Sequence, residues 1–128
     1  MSAIMLDTCG LIWLVNGGGR ISEDTLKSIE TADIVYVSAV TALEVGCKAA
    51  VKKLELHMDA EKWYEKVLSI HDLVEIPITG KIALFSASLP PVHNDPCDRI
   101  IIATAILNRL PVVTHDSRFH QYSVEVLR

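Results

Sequence analysis

Four acidic side chains follow short apolar runs, near the points where those runs end. Asp7 directly follows the first run, and Asp116 comes just after a later one. Glu44 lies in the first two turns of the helix predicted after the second run, and Asp98 lies in the first turn of a later helix. In an open parallel sheet, ligands bind beyond the carboxyl ends of the strands. These four carboxylates are therefore expected to face one crevice.

Carboxylates that converge in this way need a compensating positive charge or a proton. Two carboxylates about 5 Å apart repel by roughly 3 kcal/mol at an effective dielectric constant of about 20. A set of oxygen ligands suits a hard cation, so the sequence predicts Mg²⁺ or Mn²⁺. Zinc is not expected, because Pro96 makes it hard for His93 and Cys97 to share a helical face.

Each of these acids also has a structural interpretation. Asp7 could cap the helix that follows it, and Asp116 could cap the next short segment. Thr41 and Glu44 have the spacing of a capping box. Asp98 occupies a position where an acid favours the helix dipole. The functional hypothesis therefore depends on all four meeting in space, and not on any one of them.

The elements that would position the acids alternate between β-like and helical patterns. β-branched and apolar runs predict strands at residues 3–6, 34–37, 73–78, 111–114 and 124–127. Helical periodicity and capping signals predict helices at residues 10–15, 22–32, 38–54, 59–70, 81–88 and 96–108. Either Ser38 or Thr41 begins the third helix, and Asp95 caps the last one, with Pro96 at its first position. This alternation predicts an α/β protein with a parallel sheet between helical layers.

Length and composition indicate one domain that spans residues 1–128. Half of the 128 residues are hydrophobic and the mean hydropathy is +0.32. No apolar run reaches the roughly 18–20 residues that cross a bilayer, so no membrane association is expected. The surplus of apolar residues predicts a homo-oligomer or a permanent partner. The net charge of −4 does not itself indicate nucleic acid, although bound cations can reverse the local charge of a site.

Three cysteines are present, Cys9, Cys47 and Cys97, without a CxxC pair. An odd number of thiols predicts a reducing cytoplasm, with the cysteines acting as small apolar fillers.

Four segments together resemble the PIN-domain nucleases, and most closely the VapC toxins of type II toxin–antitoxin pairs. The segments are residues 6–14 (LDTCGLIWL), 38–44 (SAVTALE), 93–105 (HNDPCDRIIIATA) and 113–116 (VTHD). They occur in the family's order and cover essentially the whole chain. One departure is Cys97, where the family commonly has a bulky aromatic residue.

The resemblance implies a three-layer α/β/α sandwich with a central, mostly parallel sheet. It also implies an endoribonuclease that uses Mg²⁺ or Mn²⁺ to activate water against single-stranded RNA, leaving a 5′-phosphate and a 3′-hydroxyl. By position, Asp7, Glu44 and Asp98 would be the catalytic metal ligands, and Asp116 a further ligand, often through water. Residues that could support the acids or touch the substrate are Thr8, Ser38, Thr114 and Arg99.

The family's biology predicts the remaining partners. A cognate antitoxin would inhibit the enzyme, often by directing an arginine or lysine at the acids, and the toxin would be a cytoplasmic homodimer. Candidate RNA-binding cations near the rim are Arg20, Lys48, Lys52, Lys53, Arg99 and Arg118.

Three alternatives compete with this interpretation. A response-regulator receiver needs an aspartate at the end of a mid-chain strand, where residues 75–79 offer none, and a lysine at the position of His115. A haloacid-dehalogenase-type phosphatase needs a second aspartate at the position of Cys9. The strongest alternative is a catalytically inactive PIN-fold module that binds nucleic acid or protein, and loss of Mg²⁺ or Mn²⁺ binding would favour it.

Overall fold

The computed structural model describes residues 2–128, which form five strands and six α-helices. The strands are β1 (Ala3–Leu6), β2 (Ile34–Ser38), β3 (Leu73–Ile76), β4 (Val112–Val113) and β5 (Val126–Leu127). The α-helices are α1 (Thr8–Val15), α2 (Glu23–Thr31), α3 (Ala39–Ala50), α4 (Ala60–Ile70), α5 (Gly80–Ser88) and α6 (Pro96–Asn108). A short 3-10 helix (Ser117–Gln121) lies between β4 and β5.

All four strand pairings in the sheet are parallel, and the strand order is β3-β2-β1-β4-β5. The chain first builds outward from β1 to β2 and β3. It then returns through α5 and α6 to place β4 on the other side of β1. The order of the strands therefore reverses between β1 and β4, and a ligand crevice is expected beyond their carboxyl ends.

The alternation of side chains along β1 divides the interior into two apolar cores. Ile4 and Leu6 face a core that includes residues of α1, α2 and α4. Met5 faces the opposite core, which is formed largely by α5 and α6. Successive side chains of a strand point to opposite faces of the sheet. The sheet is thus covered by helices on both faces, and the predicted α/β/α sandwich is confirmed.

Some elements differ in extent from the sequence prediction. Helix α1 begins at Thr8 and not at Gly10, because the side chain of Asp7 accepts a hydrogen bond from the Gly10 N–H and so caps the helix two residues earlier. Strand β3 ends at Ile76, which pairs with the last residue of β2, and the following Pro77 has no N–H to continue the ladder. Helix α3 ends at Ala50, short of the predicted residue 54.

The prediction that the cysteines are small apolar fillers is wrong for Cys9 and Cys47, whereas Cys97 packs against the core. Cys9 and Cys47 are exposed, and Cys97 is half-buried. Cys47 lies on an outward face of α3, together with Leu43, of which 58% is exposed. An apolar repeat on a helix can therefore include an unburied stripe as well as the packed one.

Across residues 2–128, no helix has both the length and the apolar composition that a membrane crossing requires.

Candidate active site

The four predicted acids meet in one cleft at the reversal of strand order. The cleft has a volume of about 400 Å³, and its lining includes Asp7, Glu44, Asp98 and Asp116. Asp7 enters from the end of β1, and Asp116 from the segment after β4. Glu44 and Asp98 enter from α3 and α6. The sheet thus brings together side chains that lie up to 109 positions apart in the sequence.

Asp7 is the most enclosed of these acids, with 6% of its surface exposed. Its Oδ1 accepts a hydrogen bond of 2.6 Å from the Gly10 N–H. Its pKa is raised to about 6, mainly by burial and also by the charges of Glu44 and Asp116, while hydrogen bonds from Thr114 and Gly10 act in the opposite direction. The fold therefore places this carboxyl where its surroundings do not fully stabilise the negative charge.

Gly10 allows the main chain to approach the carboxyl of Asp7. A Cβ atom at position 10 would lie 3.0 Å from Asp7 Oδ1 and 3.1 Å from the main-chain oxygen of Val113. Both distances are tighter than ordinary van der Waals contact. The glycine thus lets α1 begin close against the end of β4.

Glu44 is joined to α1 through Thr8. The Thr8 hydroxyl donates to Glu44 Oε1 at 2.6 Å and lies 3.1 Å from the Thr41 hydroxyl. Thr8 is buried and also lines the cleft. These hydrogen bonds fix the position of Glu44 relative to the start of α1, beside Asp7.

Asp98 lies in the first turn of α6, close to the other acids. Its pKa is raised to about 7, mainly by burial and then by the charges of Asp95, Glu44, Asp7 and Asp116, in that order. Asp95 instead caps α6, because its Oδ1 accepts from the Cys97 N–H at 2.9 Å. Burial and neighbouring acids therefore raise the pKa of Asp98 as they raise that of Asp7.

Asp116 has the opposite electrostatic environment. Arg118 donates from Nε and Nη2 to its two oxygens at 3.0 and 2.8 Å, and His93 Nε2 lies 2.9 Å from its Oδ2. These contacts, with that of Arg118 as the largest, lower the pKa of Asp116 to about 2. Asp116 also caps the 3-10 helix through the Arg118 N–H. One of the four acids is thus already paired within the chain.

Besides Thr8, the other three predicted substrate-contacting residues also form hydrogen bonds within the protein. Ser38 is fully buried and caps α3 by accepting from the Val40 N–H. The buried Thr114 hydroxyl accepts from the Asp116 N–H at 3.1 Å. The guanidinium of Arg99 donates to five main-chain carbonyl groups between positions 86 and 93. These contacts position the acids and their loops, and substrate contact by these three residues stays a prediction.

His93 also reaches two of the acids, although its sequence context predicts no role for it at the site. Its Nε2 lies 2.9 Å from both Asp98 Oδ2 and Asp116 Oδ2. The available signal was its place at the start of the most specific motif, residues 93–105. Of the predicted rim cations, Arg20 and Lys48 line the cleft.

The fold and the order of the motifs agree with a comparison against known families, in which the PIN-domain model matches residues 4–125. The chain belongs to the PIN-domain family. It is 29% identical over 123 residues to Ribonuclease VapC22 of Mycobacterium tuberculosis, which covers 95% of this chain and 93% of that protein.

Solved structures support the same PIN fold. VapBC2 from Rickettsia felis, bound to a promoter DNA fragment, matches with a TM-score of 0.70 and 17% identity over 98% of this chain and 97% of that one. A toxin–antitoxin complex from Klebsiella pneumoniae matches with a TM-score of 0.67 and 23% identity, over 98% and 96% of the two chains. VapBC-5 from M. tuberculosis matches with a TM-score of 0.63 and 24% identity, over 100% and 99%.

The donor set of this PIN domain fits a hard divalent cation. Asp7, Glu44 and Asp98 supply only oxygen atoms, and the mutual repulsion of these acids contributes to the raised pKa values of Asp7 and Asp98. A bound cation would favour the charged form of each carboxyl and so offset that repulsion. The cleft is also large enough to admit part of a substrate as well as an ion.

Proposed function

We propose that the chain is an endoribonuclease toxin that cleaves single-stranded RNA with Mg²⁺ or Mn²⁺ and is inhibited by a cognate antitoxin. The observation that carries this proposal is the convergence of Asp7, Glu44, Asp98 and Asp116 on one cleft. The relative from M. tuberculosis is named a ribonuclease, and several structural neighbours are toxin–antitoxin complexes. Site chemistry and family membership thus support the same activity.

Asp7, Glu44 and Asp98 would hold the cation, with Asp116 as a further ligand. When bound, such an ion supplies Lewis-acid activation of water and offsets charge on the scissile phosphate. The chain's own contribution is to orient the carboxylates: Gly10 hydrogen-bonds Asp7, and Thr8 hydrogen-bonds Glu44. No side-chain nucleophile is required.

Substrate selection follows from the shape and charge of the cleft. The acids are recessed, with Asp7 buried, so a phosphate must enter the cleft to reach them. Single-stranded RNA can present a phosphate in this way more readily than a stiff duplex. Lys48 and Arg20 at the cleft would attract the flanking phosphates.

The antitoxin and a second copy of the chain complete the proposal. Seven large hydrophobic side chains are exposed among residues 2–128, including Ile70 at 65% and Leu84 at 76%. Burial of such side chains in an antitoxin complex or a homodimer would be favourable. We expect the antitoxin to occupy the cleft region and to direct a cationic side chain at the acids.

A paired assay tests the proposal. Wild-type protein and Asp7→Asn are incubated with an end-labelled RNA pool, in single-stranded and annealed forms, with Mg²⁺, Mn²⁺ or EDTA. Wild type is expected to cut the single strands only with metal, leaving 5′-phosphates, and Asp7→Asn is expected to be inactive. Full cleavage in EDTA or by Asp7→Asn would refute the mechanism. Metal binding without cleavage of any RNA would favour the inactive binding module.

A further inference from the structure

The imidazole of His93 lies beneath the acidic cleft, and only 1% of its side chain is exposed. Its Nε2 lies 2.9 Å from Asp116 Oδ2, with hydrogen-bond geometry, and 2.9 Å from Asp98 Oδ2. A single nitrogen atom therefore touches a carboxylate from α6 and one from the segment after β4.

The other ring nitrogen determines which tautomer is present. The Asp95 N–H donates to His93 Nδ1 at 3.2 Å, so Nδ1 presents its lone pair. A neutral imidazole carries one N–H and one acceptor nitrogen. The proton is therefore on Nε2, which donates it to Asp116 Oδ2, and Asp98 Oδ2 lies 2.9 Å from the same nitrogen.

The surrounding residues fix the ring in this orientation. The ring of Phe119 meets that of His93 nearly edge to face, with 5.9 Å between their centroids. The His93 N–H donates to the Tyr122 hydroxyl at 2.9 Å, and Arg99 donates to the His93 carbonyl at 3.0 Å. Both the main chain and the side chain of His93 are thus held by the fold.

The same geometry argues against His93 as a metal ligand. His93, Asp98 and Asp116 place one potential ligand atom each within 4.8 Å of one another. However, a metal-binding Nε2 needs a free lone pair, which in a neutral ring requires the proton on Nδ1. The Asp95 N–H directed at Nδ1 opposes that tautomer.

We propose that His93 is a positioning residue, whose Nε2–H orients the carboxylates of Asp98 and Asp116 for divalent-cation binding. This inference rests on the proposed function. Outer hydrogen-bond partners of metal ligands are typically worth about 10–100-fold in metal affinity. The oxygens that accept from His93 would be held in place, and their remaining lone pairs would be directed into the cleft.

Mn²⁺ binding without RNA tests the role of the N–H donor. His93→Phe removes the donor but keeps a ring, and His93→Gln keeps an N–H donor at the same number of bonds from Cβ as Nε2. We expect His93→Phe to weaken Mn²⁺ binding about 10–100-fold by electron paramagnetic resonance, and His93→Gln to remain within roughly threefold of wild type. The control is His120→Phe at an exposed histidine, and thermal unfolding in EDTA shows whether each variant is folded. Wild-type affinity in His93→Phe, or an equal loss in a folded His93→Gln, would overturn the proposal.

The tautomer itself can be measured in the wild-type protein. Nitrogen-15 NMR of the histidine rings should show a protonated Nε2 and a bare Nδ1 for His93, both before and after Mg²⁺ is added. Loss of the Nε2 proton on Mg²⁺ addition would make His93 a ligand and overturn the positioning role. A protein that binds Mn²⁺ through this network and cuts no RNA would contradict the proposed function and leave the role of His93 intact.

Discussion

Asp7→Asn should remove activity and at the same time stabilise the metal-free protein at alkaline pH. The carboxyl of Asp7 is buried, and its pKa is raised from 3.8 to about 6 by that burial and by neighbouring acids. At pH 8 the metal-free fold must therefore hold a charge that its surroundings disfavour. Asparagine has nearly the same shape, keeps an oxygen that can accept from the Gly10 N–H, and carries no charge.

The size of the effect follows from the raised pKa. One pKa unit corresponds to about 1.4 kcal/mol, so an increase from 3.8 to about 6 costs the folded state about 3 kcal/mol at pH 8. Above pH 4 the unfolded carboxyl ionises while the folded one keeps its proton, so the stability contribution of Asp7 falls as pH rises to about 6. The hydrogen bonds from Gly10 and Thr114 to the charged form are already included in this pKa. The expected gain for Asp7→Asn is therefore about 3 kcal/mol at pH 8, and about 1.4 kcal/mol less at pH 5.

Urea denaturation in EDTA at pH 5 and pH 8 measures this difference, and RNA cleavage with Mn²⁺ measures activity. Cleavage should fall by more than about 100-fold, because outer partners of metal ligands alone are worth about 10–100-fold. Asp116→Asn is the matched control: its pKa is lowered to about 2, so the same change should destabilise the protein, by about 1 kcal/mol once solvent screening is included. A variant at position 7 that is less stable than wild type by the same amount at both pH values would refute this reasoning, because Asp7 would then act only as a helix cap.

Three further perturbations test the positioning of the site. Gly10→Ala should destabilise the protein by about 1–2 kcal/mol in thermal unfolding, because its Cβ would lie 3.0 Å from Asp7 Oδ1. The control is Gly46→Ala in α3, where the new Cβ meets open space. That change should stabilise the protein by up to about 1 kcal/mol. Arg99→Lys should lower the free energy of unfolding in urea by about 2–4 kcal/mol, since one ammonium group cannot replace a guanidinium that donates to five carbonyls. A change under about 0.5 kcal/mol, which is typical of an ordinary surface substitution, would contradict this role. Mg²⁺ binding at pH 7 should release protons, because the pKa of Asp98 is about 7 and the ion binds its charged form; equal calorimetric heats in buffers of different ionisation enthalpy would contradict it.

The convergence of the acids was predictable from the sequence because parallel strands impose it. Asp7 and Asp116 follow runs that read as strands, and the carboxyl ends of parallel strands lie at one edge of the sheet. Glu44 lies in the second turn of α3 and Asp98 in the first turn of α6, and both helices begin near that edge. Once the sheet is parallel, few arrangements separate these four residues.

The electrostatic differences among the acids were not predictable, because they depend on contacts made by loops. His93 reaches Asp116 from 23 positions away, and Arg99 holds the segment that leads to His93 through main-chain carbonyls. Main-chain carbonyls carry no residue identity that a sequence pattern could reveal. The same limit applies to the cysteines, since the exposure of Cys9 and Cys47 depends on how α1 and α3 are rotated against the sheet.

The contrast between Asp116 and the other acids indicates which side of the cleft needs an external cation. Arg118 and His93 already stabilise the charge of Asp116, whereas the pKa values of Asp7 and Asp98 are raised by burial and by neighbouring acids. A cation gains most where it relieves repulsion between charged carboxylates, so the pair Asp7 and Asp98 should dominate the affinity at a pH where both are ionised. A cationic side chain from an antitoxin would offset the same repulsion. Inhibition and metal binding are therefore expected to depend on the same two carboxylates. The chain itself stabilises the charged forms of these two side chains least.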